Sequence, residues 1–455
     1  MPRILQELLA ARKATRAKIK YKTVNRSDGS SVSGTLKELD DKYEITQWDA
    51  TDGKLSKTKT TVLKTDVVGE VNSTFTAFMK NVFDKRQAGL KVTANSLYGQ
   101  CGARTSAFYE MDIAASTTAT GRKLLLYAQR IIEDVYKDTL CETSYGRVRT
   151  RAEYIYGDTD SVFFTFHLED EQGEKILGKR ALEMTIELAQ EAGKLASKFL
   201  KAPHDLEYEK TFHPFLLLSK KRYVGLLYET DPNKCKRKSM GIVLKRRDNA
   251  PIVKDVYGGI IDILMHQKNV AAAVEFTKEC LENMVAERYP LEKLIVSKSL
   301  RGWYKNPDSI AHRVLADRMG KRDPGNKPSI GSRIPYVYIQ TKKKVKLQGN
   351  RIETPSYVRA NNLKPDYGFY ITNQIMKPVQ QVFALILEQI PSFRNRKKFH
   401  DDVRRLRHRL TEEKAEEAEK KLRNSLVKKL VFEDALRCAS NNKAGQRSIM
   451  SFFGE

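Results

Sequence analysis

Six residues, Tyr156-Gly157-Asp158-Thr159-Asp160-Ser161, most constrain what this chain can fold into. Runs of β-formers flank them: Arg151-Ala-Glu-Tyr-Ile-Tyr156 leads in and Ser161-Val-Phe-Phe-Thr-Phe166 leads out. Two such runs around a short acidic break predict an antiparallel hairpin with a tight turn. Asp158 and Asp160 are two positions apart, so an extended backbone would point both to one face. Carboxylates that close repel each other unless a cation lies between them. The turn has two readings: an exposed Asp-rich loop, the usual fate of a Gly-Asp pair, or a cation site. The apolar flanks and a matching motif upstream favour the second.

Charge sets the partner class. The 455 residues carry a formal net charge of +26, with a pI near 9.6. Such an excess fits a polyanion, either nucleic acid or an acidic membrane surface. No run approaches the roughly 18 consecutive apolar residues of a membrane span, so nucleic acid is the partner expected, with no membrane. The N-terminal Met1-Pro-Arg-Ile-Leu-Gln-Glu7 carries charge where a signal peptide needs an apolar run, which argues against secretion. Cys101, Cys141, Cys235, Cys280 and Cys438 are scattered and form no Cys-x-x-Cys. Neither a disulfide framework nor a zinc or iron–sulfur site is indicated, and a reducing intracellular compartment is the simplest inference. No Gly-x-x-x-x-Gly-Lys-Ser/Thr occurs, so a P-loop is excluded. The length leaves room for several domains and a sizeable core.

Along the chain, residues 3–20 predict a helix with Ile4, Leu5, Leu8 and Leu9 on one face. Arg12 and Arg16, four apart, could reach one target together, or form part of a solvated basic face. Residues 23–66 are polar and turn-rich and read as an inserted strand-and-loop element. A second helix is expected from Ser73 to about Tyr98, ended by Gly99. Lys91, Asn95 and Tyr98 share one of its faces. A third spans 112–137, where Thr117, Thr118, Thr120 and Gly121 suggest close packing. An amphipathic helix covers 178–201. Leu206–Phe212 and Phe215–Tyr228 read as further strands of the hairpin's sheet, with the basic-aromatic Lys220-Lys221-Arg222-Tyr223 at a turn. Helices at 252–266, 270–288, 307–320 and 366–388, and a strand at Ile334–Ile339, follow. Residues 394–429 predict a solvated helix with a thin apolar stripe, and Asn441-Asn-Lys-Ala-Gly445 a polar linker. Lys234-Cys-Lys-Arg-Lys238 fits either a nuclear signal or a DNA-gripping surface loop.

These residues carry a resemblance. Lys91-Val-Thr-Ala-Asn95-Ser-Leu-Tyr98-Gly99 resembles motif B of the family B DNA polymerases, and Tyr156–Ser161 resembles their motif C. Lys220–Tyr223 resembles the family's duplex-contacting palm motif. Arg322-Asp-Pro-Gly, Pro335-Tyr-Val-Tyr and Asn373-Gln-Ile resemble its thumb segments. The order matches the family's from residue 1 to about 390, and the segment Asn95–Arg104 looks most like polymerases of large DNA viruses. The resemblance implies an α+β right-hand architecture: helical fingers over 1–100 with the 23–66 insert, an antiparallel-sheet palm over 101–247, a mostly helical thumb over 248–410, and a charged helix and tail over 411–455. It implies DNA-directed DNA synthesis, adding dNTPs to a primer 3′ end with two Mg²⁺ ions, at the site of replication in a host nucleus or viral factory. Asp160 is the implied principal metal ligand and Asp158 a weaker one. Arg12, Arg16, Lys91 and Asn95 are implied triphosphate contacts, and Tyr98 packs at the minor-groove side of the nascent pair. Lys220, Lys221, Arg222 and Tyr223 are implied contacts of the primer–template backbone.

Two features qualify that picture. The family's Asp-x-x-Ser-Leu-Tyr-Pro motif A, which holds the other essential aspartate, lies before the segment resembling Pro2–Arg12 and is not among these residues. The 455 residues by themselves are therefore expected not to polymerise, and an N-terminal polymerase half or subunit is an expected partner. The last residues, Gln446-x-x-Ile449-x-x-Phe452-Phe453, resemble the peptide that docks on sliding clamps; a terminal apolar cluster folding back on the domain is the alternative. A non-catalytic DNA- and clamp-binding remnant competes with the enzyme reading. It gives no reason to keep Asp158, Asp160, Lys91, Asn95 and Tyr98 together. A reverse-transcriptase-like palm would carry adjacent aspartates, which Thr159 separates here.

Overall fold

The computed structural model describes residues 2–443 apart from 52, 202–203, 342–344 and 346. The chain divides into two compact units, residues up to 128 with 159–161, and residues 129–158 with those from 162 onward.

In the first unit, α1 (Pro2–Ile19) opens on a proline, whose missing N–H is one of the orphan donors of a first turn. Its buried face differs from expectation. Ile4 and Leu9 stay exposed, whereas Ala10, Ala14 and Thr15 are buried. Small side chains there let α1 lie close to its neighbours. Those neighbours are an antiparallel sheet of β1 (Tyr21–Asn25), β2 (Ser31–Glu38), β3 (Lys42–Thr51), β4 (Lys54–Leu63) and β5 (Asn72–Ser73), ordered β4-β3-β2-β1-β5. The polar insert is thus a folded five-stranded sheet, wider than 23–66, in which β1–β4 form a meander and β5 returns beside β1, around Val24, Ile45 and Val62.

The helix α2 (Ala77–Cys101) is capped by Thr76, whose side chain accepts the Met79 N–H. It does not stop at Gly99. It runs on to a cap at Gly102, and the buried Cys101 side chain anchors the last turn. Gly99 lacks the left-handed backbone that would end a helix there. The helix α3 (Met111–Val135) buries Ala114, Ala128 and Ile132. The close packing expected at its small residues is not made among the described residues: Thr117, Thr118 and Thr120 are exposed, and a Cβ on Gly121 would have no neighbour within 4 Å.

The second unit carries the remaining strands. β6 (Thr139–Thr143) pairs with β7 (Gly146–Thr150), and β8 (Glu153–Asp158) with β9 (Ser161–Thr165). After α4 (Gly178–Phe199), β10 (Thr211–Ser219), β11 (Arg222–Tyr228) and β12 (Cys235–Met240) form a separate three-stranded sheet. The single sheet expected is therefore three separate sheets, and Leu206–Lys210 is not a strand. Part of its hydrogen bonding goes to α4: the Leu206 N–H donates to Ser197 Oγ at 2.8 Å, and Ser197 Oγ also bonds the Leu206 carbonyl at 3.0 Å. Gly193 permits that approach, since a Cβ there would stand 3.1 Å from the same carbonyl. The Lys236-Arg237-Lys238 run is the lysine-rich edge strand β12 rather than a loop, a common way to blunt a sheet edge.

One large apolar core fills the rest. It runs from Val224 on β11 through α5 (Pro251–Asp262) and α6 (Val270–Val285). It then includes β13 (Val296–Ser299), α7 (Ala311–Arg322), β14 (Arg333–Tyr338), β15 (Ile352–Glu353) and α8 (Pro355–Ala360). The chain then passes through α9 (Tyr367–Phe369) and a π-helical turn into α10 (Met376–Leu385). The charged stretch is not one solvated helix. It breaks at Leu410–Thr411 into α11 (Arg396–Arg409) and α12 (Glu412–Val427), where Thr411 takes extended backbone and Glu412 and Glu413 favour a helix start. Leu422 and Leu426 pack on the main core, and Val427, Val431 and Phe432 are inside it. The expected linker begins as helix, since α13 (Glu433–Lys443) includes Asn441–Lys443. Gln446, Ile449, Phe452 and Phe453 lie outside the described residues.

Candidate active site and duplex interface

The hairpin forms as its residues predict, with a two-residue loop. Thr159 has φ 62°, the positive value that primed hairpin turns require at their first central position. Asp158 closes β8, but Asp160 sits in the loop and is exposed. The alternation argument therefore holds for Asp158 and not for Asp160, whose direction the turn decides.

Rings fix this hairpin within the second unit. Tyr156, almost fully buried, meets Phe163 at 5.5 Å and Tyr223 at 6.3 Å between centroids. Phe163 reaches Phe212, Phe215 and Tyr223 within 6.1 Å. Offset and edge-on aromatic pairs add about 0.5–1.5 kcal/mol each beyond burial, so β8–β9 and β10–β11 are locked together. The expected basic turn thus lies beside the end of β8. The Lys221 N–H donates to Tyr156 Oη at 2.8 Å, and Lys221 Nζ lies 2.6 Å from Asp158 Oδ1. The hydrogen bond to Asp158 raises the Lys221 ammonium above its ordinary value.

In the first unit, α1 packs along α2. Arg12 Nε donates to Gln87 Oε1 at 3.4 Å. Burial, then the neighbouring Arg16 cation, pushes the Arg12 guanidinium below its usual value. Two cations one turn apart repel, and an anion beside them relieves that repulsion. Gln87 lies four residues before Lys91, so Gln87, Lys91, Asn95 and Tyr98 continue one face of α2. Lys91, Asn95 and Tyr98 are exposed. The sequence signal for Gln87 is its i−4 relation to Lys91.

In the second unit a cleft of about 420 Å³ is lined by Arg222, Arg246, Lys298, Asn373, Gln374 and Lys377, among others. Asp248 accepts a two-pronged bond from Arg246, at 3.1 and 3.0 Å, which holds its carboxyl below the usual range. Lys298 and Lys377 had no local signal. One lies on a four-residue strand and the other near the start of α10, and only the fold brings them to Arg222.

A divalent metal can be tested against these residues. Carboxylate oxygens suit a hard cation, and Asp160 presents one at an exposed turn. No cluster of three or more acidic, histidine or cysteine ligands exists among the described residues. The hairpin would therefore supply only part of a metal shell. Carboxylates for a hard cation, with cations for phosphate groups, define a class suited to phosphate-ester substrates.

Comparison with known proteins narrows that class. The profile of DNA polymerase family B matches residues 61–386. The chain is 46% identical to a DNA polymerase of Pyramimonas orientalis virus, over all of this chain and 36% of that protein. It is 52% identical to a DNA polymerase of Acanthamoeba polyphaga mimivirus over 52% of this chain and 14% of the relative. A DNA polymerase delta catalytic subunit of Caenorhabditis elegans is 35% identical over 68% of this chain and 27% of its own length. The chain belongs to DNA polymerase family B. It spans about a third of the length of the viral relative that it matches throughout.

Proposed function

We propose that this chain is the C-terminal catalytic part of a DNA-directed DNA polymerase serving replication, as its viral and delta-subunit relatives suggest. The observation that carries the reading is the intact Asp158–Asp160 hairpin within the family match, tied to the basic turn Lys220–Tyr223. Residues 1–100 would act as fingers, 101–247 as palm and 248–410 as thumb of a right-hand architecture, with 411–455 following. Bound Mg²⁺ would supply charge neutralisation and activation of the primer 3′-hydroxyl. Asp160 would be its principal protein ligand in these residues, with Asp158 secondary. The second essential aspartate would come from a segment outside them, so the 455 residues alone would not polymerise. Replication inside a host cell, in the nucleus or a viral factory, is the proposed setting.

Arg12, Arg16, Lys91 and Asn95 would hold and align the triphosphate, with Tyr98 against the nascent pair. Hydrogen bonds to charged groups are worth about 1.5–3 kcal/mol, so Lys91→Ala should weaken dNTP use by roughly ten- to a hundredfold. The check is single-turnover incorporation by the chain joined to the part bearing motif A. That joined enzyme should insert the dNTP that the template specifies; equal use of all four dNTPs would contradict the proposal.

Gln446, Ile449, Phe452 and Phe453 would dock in a sliding clamp's hydrophobic pocket and raise processivity by tethering. Phe452→Ala with Phe453→Ala should abolish clamp binding in a pull-down while duplex affinity stays at wild type. Unchanged clamp binding would reject this part.

A further inference from the structure

The acidic hairpin and the basic turn are pinned to each other by backbone and rings, while the Lys221 side chain is not. Lys221 takes φ 63°, and its N–H is committed to Tyr156 Oη. Gly241 closes in behind: a Cβ there would stand 2.2 Å from the Lys221 carbonyl oxygen, so a glycine is needed for that approach. Tyr223, two residues on, is locked in the aromatic cluster. Against this frame the Lys221 side chain remains 72% exposed, with Nζ at Asp158.

We propose that Lys221 is a shuttle cation serving two anions in turn. Asp158 holds its ammonium when no duplex is bound; a backbone phosphate takes it on duplex binding and leaves the carboxylate to a divalent cation. The inference rests on reading Lys220–Tyr223 as a duplex contact. An exposed ion pair is weak, since water screens it and side-chain entropy opposes it. A phosphate on a polyelectrolyte competes well, because binding it releases a condensed counterion. The exchange needs only side-chain torsions of one lysine, which are fast and cheap. Duplex and divalent cation then favour each other's binding, since each removes a competitor of the other. Lys221 is thus a positioning residue as well as a DNA contact.

The test is fluorescence anisotropy of a labelled primer–template with the 455-residue chain across a KCl series. It compares wild type with Lys221→Ala, Lys221→Arg, Asp158→Asn and the Asp158→Asn/Lys221→Ala double variant. Asp158→Asn should tighten duplex binding about two- to fivefold, the worth of an exposed pair, with the salt slope unchanged. Lys221→Ala should weaken binding and reduce the slope of log K against log salt by about one, whereas Lys221→Arg keeps the slope. In the Lys221→Ala background the gain from Asp158→Asn should vanish. A gain that persists there means plain repulsion of DNA by the carboxylate and overturns the shuttle. So does the absence of any gain in the Asp158→Asn single variant. If Lys221→Ala leaves affinity and slope at wild type, the duplex-contact reading of the turn fails, and the shuttle with it.

Discussion

Asp160→Asn is expected to lower the single-turnover rate of the completed polymerase by about a thousandfold, while primer–template affinity stays within a few-fold of wild type. The scale is that of removing one preorganised group from a charge-developing transition state, about 10²–10³ in rate. Asp160 stands exposed at the hairpin turn, where substrate and cation can reach it. Removing one negative charge there cannot weaken attraction to a polyanion, so loss of rate without loss of binding separates catalysis from grip. Asp158→Asn should cost less, in keeping with the secondary place proposed for Asp158 among the metal ligands. Equal losses at the two positions would contradict the ranking of the two carboxylates.

Phe432→Ala should destabilise the second unit by roughly 3–5 kcal/mol, the usual cost of truncating a fully buried phenylalanine. Phe432 is fully buried in the core that also holds Tyr370, Phe383 and Val427. An exposed position would lose no more than about 0.5 kcal/mol from such a change. Urea unfolding followed by far-ultraviolet circular dichroism distinguishes the two. Lys420→Ala, on the exposed side of α12, is the control and should leave the midpoint nearly unchanged.

The contrast between these two predictions shows where the sequence was legible. The acidic hairpin could be read because a hairpin is local: its β-runs and its turn are contiguous, and no distant contact is needed to place them. Lys91, Asn95 and Tyr98 could be put on one face for the same reason, by helical period alone. Resemblance then supplied roles that period could not. What failed was non-local. Leu206–Lys210 alternates like a strand, but Ser197 and Gly193 draw part of its backbone to α4. Residues 394–429 look solvated by composition, yet Leu422 and Leu426 pack on the core and Val427 is inside it. On α1 the larger residues suggested the wrong face, because close helix approach selects Ala10 and Ala14 instead. Lys298 and Lys377 could not be linked to Arg222 before the fold joined them. The Asp158–Lys221 pair spans 63 positions and has no local signature.

The central claim is that these residues hold one half of a two-aspartate polymerase centre. Primer extension in Mg²⁺ tests it most directly, with the purified 455-residue chain alone and with the same chain joined to a segment bearing Asp-x-x-Ser-Leu-Tyr-Pro. The account predicts no extension by the chain alone, template-directed extension by the joined protein, and loss of that activity in Asp160→Asn. Robust Asp160-dependent synthesis by the 455 residues alone would contradict it.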